Sequence, residues 1–351
     1  MISACIITKN ESENLRRCLG ALAAYPFELV VVDTGSEDDS VKVAGEYTEH
    51  IFSYEWKNDF SDARNYAMGL ASSDKIIMID TDEFLTGLDY EKLEKMMNDY
   101  PMKAGRIFRK NIFTRGEEIQ QGTEWITRIF DRRYFYYTGR IHEQVTARNG
   151  APFETYNAPA GFDHTGYDGD EKTVAAKAER NIKILLEELS QNPSDTYLLY
   201  QLGKSFYMKK DYLSALEYFE RATSLDLDER LEYVNDLIIS YGYTLINTGN
   251  SEKALGFENL YDVFGKTAEF RFLMGLIYMN NMMFDRAVES FLDATKVSRC
   301  SMDGVNSYKA YYNIGVIREC LGNVDDAIKY YSKCSNYQKA LKRLEMLNEQ
   351  K

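Results

Sequence analysis

The segment IIMIDTDEF (76–84) sets three carboxylates, Asp80, Asp82 and Glu83, within four residues at the end of an apolar run. Carboxylates held that close repel one another unless positive charge sits among them. A hard divalent cation with oxygen ligands, Mg2+ or Mn2+, would relieve the repulsion and could hold a diphosphate as well. The alternative is an acidic helix N-cap, where the same residue types meet the positive end of a helix dipole. Other polar turns accompany this one. ITKNESEN (7–14) runs from an apolar stretch into a polar turn and a helix, so Asn10 and backbone N–H groups could meet a ligand there. VVVDTGS brings Asp33 to a position suited to bonding a base or ribose, and with Gly35 alone in the turn it is not a GxGxxG fingerprint. WKNDFSDARNYA (56–67) places Arg64 and Asn65 at the start of an amphipathic helix. Arg64 suits an anionic or nucleobase contact, or a salt bridge to a neighbouring acid.

The elements that must position these residues are legible from periodicity. ISACIIT (2–8), ELVVVD (28–33) and KIIMID (75–80) are apolar on both faces and alternate with helical patterns such as LRRCLGALAAY (15–25). That pattern means a parallel sheet covered on both sides, with ligands at the carboxyl ends of its strands. Beyond residue 104 the pattern changes to RIFRKNIFTRG, EWITRIF and RYFYYTGRIHEQV, alternating aromatic-rich strands that read as an antiparallel extension.

From about residue 171 the chain reads as helical. Four Gly–Ala pairs recur twelve residues apart: Gly203/Ala215, Gly242/Ala254, Gly275/Ala287 and Gly315/Ala327. Each Gly marks a close helix approach, with the Ala at the matching contact. Three pairs add an aromatic four residues later (Phe219, Phe291, Tyr331), whereas the second has Glu258 and is degenerate. This array resembles tetratricopeptide repeats, about four of them. Such a solenoid suits an extended peptide or another protein, although its tyrosines could equally serve packing or a homodimer contact.

Composition bounds the rest. The 351 residues favour two domains, and 44% hydrophobic with 28% charged residues is globular. A net charge of −13 argues against nucleic acid or an anionic membrane surface as partner, and no apolar run is long enough to span a bilayer. The opening MISACIITKNESEN reads as a strand, not a signal peptide. Five cysteines in no CxxC pair argue against a disulfide framework or structural zinc, so a reducing, cytoplasmic location is expected.

CIITKNESENLRRCL, VVVDTGSEDDS, NDFSDARN and MIDTDEF, in that order, resemble family 2 glycosyltransferases of GT-A fold. With RIFDRRYFYYTGRIHEQV, HTGY (164–167) and the repeats, the chain is similar to bacterial enzymes that glycosylate peptides and proteins, among them the sublancin-type peptide S-glycosyltransferases. The resemblance implies a GT-A nucleotide-sugar-binding sheet flanked by helices over 1–170, a connecting helix and linker over 171–194, and an all-α repeat domain over 195–351. It implies an inverting, metal-dependent transfer of a hexose from a UDP-sugar, UDP-glucose or UDP-N-acetylglucosamine, to a Ser, Thr or Cys side chain. A small glycan or lipid-linked acceptor, or a non-catalytic scaffold, are the alternatives.

Carried over residue by residue, Thr8, Asn10 and Glu11 would line the nucleotide site, and Asp33 would bind uracil. Arg64 would contact the nucleotide, Asp80 the ribose, and Asp82, within the DTD that matches the family's DxD motif, would ligate Mg2+ or Mn2+. Lys9 stands where the family commonly has an aromatic. His164 falls where a C-terminal segment often supplies a metal ligand. The attacking group needs a base; Glu143 is the candidate, with His142 bonding acceptor or phosphates. If GRIHEQV is a strand, these two side chains face opposite ways. Residues 103–140 hold nine Lys/Arg against four acids, so a basic rim could steer a diphosphate. Trp125 and Tyr136–Tyr137 could stack on a sugar or pack in the core.

Overall fold

The structure is a computed structural model that describes residues 1–115, 118–165 and 171–349. Gly166 and Tyr167 of HTGY, and the side chain of Arg115, lie outside the described residues. The chain divides into two compact units, Met1–Thr173 and Val174–Lys351.

In the first unit, strands β1 (Ile2–Thr8), β2 (Phe27–Asp33), β3 (Ile51–Ser53) and β4 (Lys75–Asp80) alternate with helices α1 (Ser12–Leu22), α2 (Ser40–Ala44) and α3 (Phe60–Leu70). Then come β5 (Glu83–Leu88), α4 (Tyr90–Asp99), β6 (Ala104–Arg115), β7 (Glu118–Asp131), β8 (Phe135–Thr138), β9 (Gln144–Ala147) and β10 (Thr155–His164). Eight strands form one mixed sheet in the order β3-β2-β1-β4-β7-β6-β10-β5. Strands β1 to β4 pair in parallel, as continuous apolar runs require. Alternate residues of β1 serve two cores: Ile2, Ala4 and Ile6 pack with α1 on one face, and Cys5 packs with Ala63, Ala67 and Met68 of α3 on the other. The sheet order reverses at β1, with β2 and β3 on one side and β4 on the other. That reversal puts the topological switch point, where open α/β sheets hold their ligand crevice, at the carboxyl ends of β1 and β4.

The antiparallel extension holds for β7 against β4 and for the long β6–β7 hairpin. It differs in two places. Strands β8 and β9 form a separate two-stranded sheet, and β10 returns parallel to β6 before pairing antiparallel with β5. Buried Ala158, Ala160 and Phe162 draw β10 back onto the main core.

The second unit is helical. After α5 (Glu171–Gln191) come the pair α6 (Thr196–Met208) and α7 (Tyr212–Thr223), then α8 (Glu232–Asn247). Two later pairs are α11 (Ala268–Asn280) with α12 (Phe284–Thr295), and α13 (Tyr308–Cys320) with α14 (Val324–Tyr331); α15 (Gln338–Glu349) follows. The second helix of the degenerate repeat is broken into α9 (Ser251–Ala254), a 3-10 stretch over Leu255–Leu260 and α10 (Tyr261–Phe264). The glycines act as notches. A Cβ on Gly203 would lie 2.4 Å from the ring of Phe219, on Gly275 2.6 Å from Phe291, and on Gly315 2.5 Å from Tyr331. The partner of each notch is thus the aromatic sixteen residues on, while each Ala is fully buried nearby. In the degenerate repeat Gly242 faces Leu273 and Phe257 instead.

Gly203→Ala is accordingly expected to lower stability by about 1–3 kcal/mol, overpacking outweighing the roughly 1 kcal/mol gain in helix propensity. Denaturant unfolding followed by circular dichroism would check this; a neutral or stabilising result would contradict the notch. No helix among the described residues is long and apolar enough to cross a membrane.

Candidate functional site

The carboxyl ends of three adjacent strands bring Asp33, Thr8 and Asp80 together, since Thr8 is in register with Asp33 and Ile7 with Asp80. Asp33 is buried and accepts from the backbone N–H groups of Gly35 and Ser36, so it shapes its own turn. Gly35 takes φ +100°, which a side chain would resist. The neighbouring loops interlock. Asn10, at φ +53°, donates its N–H to Ser36 Oγ and accepts at Oδ1 from the N–H of Glu37 (2.7 Å). The Glu11 N–H bonds Ser40 Oγ, and the Ser12 N–H bonds Asp38. Bonds from these serine groups draw the Asp38 carboxyl down to about 2. Asn10 and Glu11 therefore sit at the crevice as parts of a clasp between two loops. The Thr8 hydroxyl is buried with no hydrogen-bond partner among the described residues.

A line of alternating charges runs from this crevice through the sheet. Arg64, buried on α3, donates Nε to Glu143 (2.5 Å) and Nη2 to Asp80 (2.6 Å). Arg128 on β7 pairs with Asp80 and, at 3.1 Å, with Glu83. Arg109 on β6 spans Glu83 (2.7 Å) and Glu124 (2.9 Å). Glu83 is fully buried and also accepts from the Asp80 N–H (3.1 Å). Burial opposes ionisation of Asp80, yet Arg128 and Arg64 overcome it and hold the carboxyl far below its ordinary range. Arg64 likewise stays charged despite burial because Asp80 and Glu143 flank it.

This arrangement corrects the charge argument. Two of the three clustered carboxylates are neutralised by guanidinium groups, and the acidic N-cap alternative fails because strand β5 begins at Glu83. The basic rim also dissolves. Of its nine cations, Arg109, Arg128, Arg132, Arg133 and Lys103 are ion-paired with protein acids, and Arg106 and Arg140 bond backbone carbonyls. Tyr137 is buried, and Trp125 packs edge-on against Phe108 at 5.3 Å. Asn65 exchanges two hydrogen bonds with the Tyr137 backbone, both 2.9 Å, and so docks α3 on β8.

Asp82 stands apart. Among the described residues it has no guanidinium partner, and its Oδ1 lies 3.6 Å from His164 Nε2. His164 sits between Glu83 and Asn111 in the sheet register. Among the described residues no group of three or more His, Cys, Asp or Glu side chains could hold a cation. The Asp82–His164 pair nevertheless fits a hard divalent ion that completes its shell from diphosphate oxygens and water, with one carboxylate oxygen and one imidazole nitrogen converging.

Residues 139–143 are a loop between β8 and β9, not a strand, because Gly139 (φ +88°) and His142 (φ +50°) take left-handed conformations. Strict alternation of His142 and Glu143 therefore does not apply. The loop is pinned to α3 by Ser61 Oγ donating to the Gly139 carbonyl (2.6 Å) and by the Phe60 N–H to the Arg140 carbonyl. It holds Glu143 against Arg64, where Oε1 is engaged and Oε2 has no hydrogen bond among the described residues.

The Glycosyl transferase family 2 model matches residues 3–154. The chain carries a family 2 glycosyl transferase domain. Downstream of that family 2 domain, the tetratricopeptide repeat model matches 196–229 and 308–341. A TPR repeat-containing protein of Synechococcus elongatus is 28% identical over 232 residues, 63% of this chain and 56% of that protein. The SPbeta prophage-derived glycosyltransferase SunS of Bacillus subtilis is 26% identical over 225 residues, 63% of this chain and 53% of SunS. The chain thus spans about half the length of the curated relatives it matches. Among solved structures, YrrB, described as a TPR protein with an unusual peptide-binding site, is 22% identical with a TM-score of 0.40, covering 50% of this chain and 88% of YrrB. MamA is 20% identical with a TM-score of 0.39, covering 51% and 96%.

Proposed function

We propose that the chain is a metal-dependent inverting glycosyltransferase that moves a hexose from a UDP-sugar, UDP-glucose or UDP-N-acetylglucosamine, to a Ser, Thr or Cys side chain of a peptide or protein. The observation that carries the proposal is the division of labour among the clustered carboxylates: Asp80 and Glu83 are held by arginines, and Asp82 alone faces His164. In this reading Asp33 and Thr8 meet the nucleoside, Asn10 and Glu11 border it, and Arg64 with Asp80 fixes the ribose side. Asp82 and His164 would hold Mg2+ or Mn2+, which when bound takes up charge on the departing diphosphate. The acceptor oxygen or sulfur forms its bond to sugar C1 as the bond from C1 to the UDP oxygen breaks, and the electron pair leaves with UDP. The acceptor proton passes to Glu143 Oε2, with Arg64 orienting the carboxylate and His142 beside it. The repeats hold the polypeptide, and a reducing cytoplasmic setting, in keeping with five free cysteines, belongs to the same proposal.

UDP release from UDP-sugars with and without EDTA, with the product identified by mass, tests this; release indifferent to EDTA would remove the metal from the mechanism. Glu143→Gln discriminates the acceptor. A hydroxyl needs the base, so transfer to Ser or Thr should fall about 10²–10⁴-fold. A thiol ionises far more readily, so transfer to Cys should fall by about 10-fold or less.

A further inference from the structure

His164 does not face Asp82 unaided. Its Nδ1 lies 2.7 Å from Asn111 Oδ1, an atom that can only accept, so Nδ1 must carry the proton. The orientation of the Asn111 amide is fixed in turn, because its Nδ2 donates to Glu124 Oε1 at 2.5 Å. A flipped amide would set its oxygen against that carboxylate oxygen. Glu124 is itself anchored by two bonds from Arg109, Nε at 3.2 Å and Nη2 at 2.9 Å, and the same guanidinium grips Glu83. Arg109 faces Glu124 directly across the β6–β7 hairpin, and Asn111 is next on the same face of β6. Burial opposes the charge on Glu124, and Arg109 and Asn111 outweigh it, holding its carboxyl below the ordinary value and keeping it an acceptor.

We infer that Asn111 and Glu124 are positioning residues that lock His164 in its Nδ1–H tautomer, so that Nε2 presents a lone pair toward Asp82. An imidazole can ligate a cation only through an unprotonated nitrogen, and the partner of the other nitrogen decides which one that is. The inference rests on the metal reading above, with Asp82 and His164 as the protein ligands. What it adds is that the site depends on two side chains that would touch neither cation nor substrate.

The test has a readout in the apo protein. Long-range 15N–1H correlation spectra at pH 8 should show His164 protonated at Nδ1. In Asn111→Leu the proton should redistribute to Nε2, and Mn2+ binding with UDP, followed by electron paramagnetic resonance, should weaken about 10–100-fold. Glu124→Leu should act in the same direction. Glu124→Gln, which keeps an accepting oxygen for Asn111 and Arg109, should retain most of the affinity and the Nδ1–H tautomer. This rescue separates positioning from a general loss of folding. An unchanged tautomer in Asn111→Leu, or a changed tautomer with unchanged Mn2+ affinity, overturns the relay. If instead His164→Ala binds Mn2+ as tightly as the native protein, the metal reading itself falls, and the relay loses its purpose with it.

Discussion

Arg128→Met is expected to destabilise the family 2 domain by roughly 3 kcal/mol. The substitution removes the guanidinium shared by Asp80 and Glu83 and leaves buried negative charge undercompensated, a change that ordinarily costs about 3–5 kcal/mol. The low end applies because the side chain of Asp80 keeps 27% of its surface in contact with solvent. Urea unfolding monitored by tryptophan fluorescence reports on this unit, since both tryptophans, Trp56 and Trp125, lie in it. A loss under 1 kcal/mol would mean that Arg64 and Arg109 can balance both acids alone. The pH dependence has a definite sign. The folded-state value of Asp80 is depressed from about 3.8. Its contribution is therefore complete above that value and is lost as pH falls toward the folded-state value.

Asp82→Ala should do the opposite, leaving stability within about 1 kcal/mol of the native protein. Among the described residues Asp82 takes part in no arginine pair, and His164 lies 3.6 Å from it. Donor turnover should nonetheless fall about 10³-fold, roughly 4 kcal/mol of transition-state stabilisation. UDP release measured in saturating Mn2+, together with Mn2+ affinity, checks this. Turnover within a few-fold of native would end the role of Asp82 as ligand. Together the two substitutions would separate a residue that holds the shape of the domain from one proposed as a metal ligand.

Much of the scaffold can be read from residue order alone. Runs such as ISACIIT and KIIMID are apolar on both faces, and only a covered parallel sheet accommodates them, which is how β1 and β4 lie. The glycine and aromatic spacing of the repeats likewise survives as ring-in-notch contacts, because it arises within one helix pair. The counter-charge of the acidic cluster was not legible in this way. Three carboxylates in four residues announce that something positive must lie among them, but Arg64, Arg109 and Arg128 reach them from α3, β6 and β7. Nothing local says which of nearby cations folding will bring inward. Glu124 and Asn111 carry a fainter signal: polar residues on a long hairpin, placed so that Glu124 faces Arg109 across it. The loop at 139–143 misleads for a local reason. GRIHEQV alternates like a strand, yet a left-handed residue other than glycine, His142, breaks the extended path.

The notched helix pairs have a use beyond this chain. Three of them close by the same stroke, a ring dropped over a missing side chain, while the one between departs from it. Units that share a lock can be spliced, duplicated or swapped without recutting the key. The span of polypeptide such an array could grasp is then a matter of how many copies are joined, and the odd unit marks the place where that modularity would first give way.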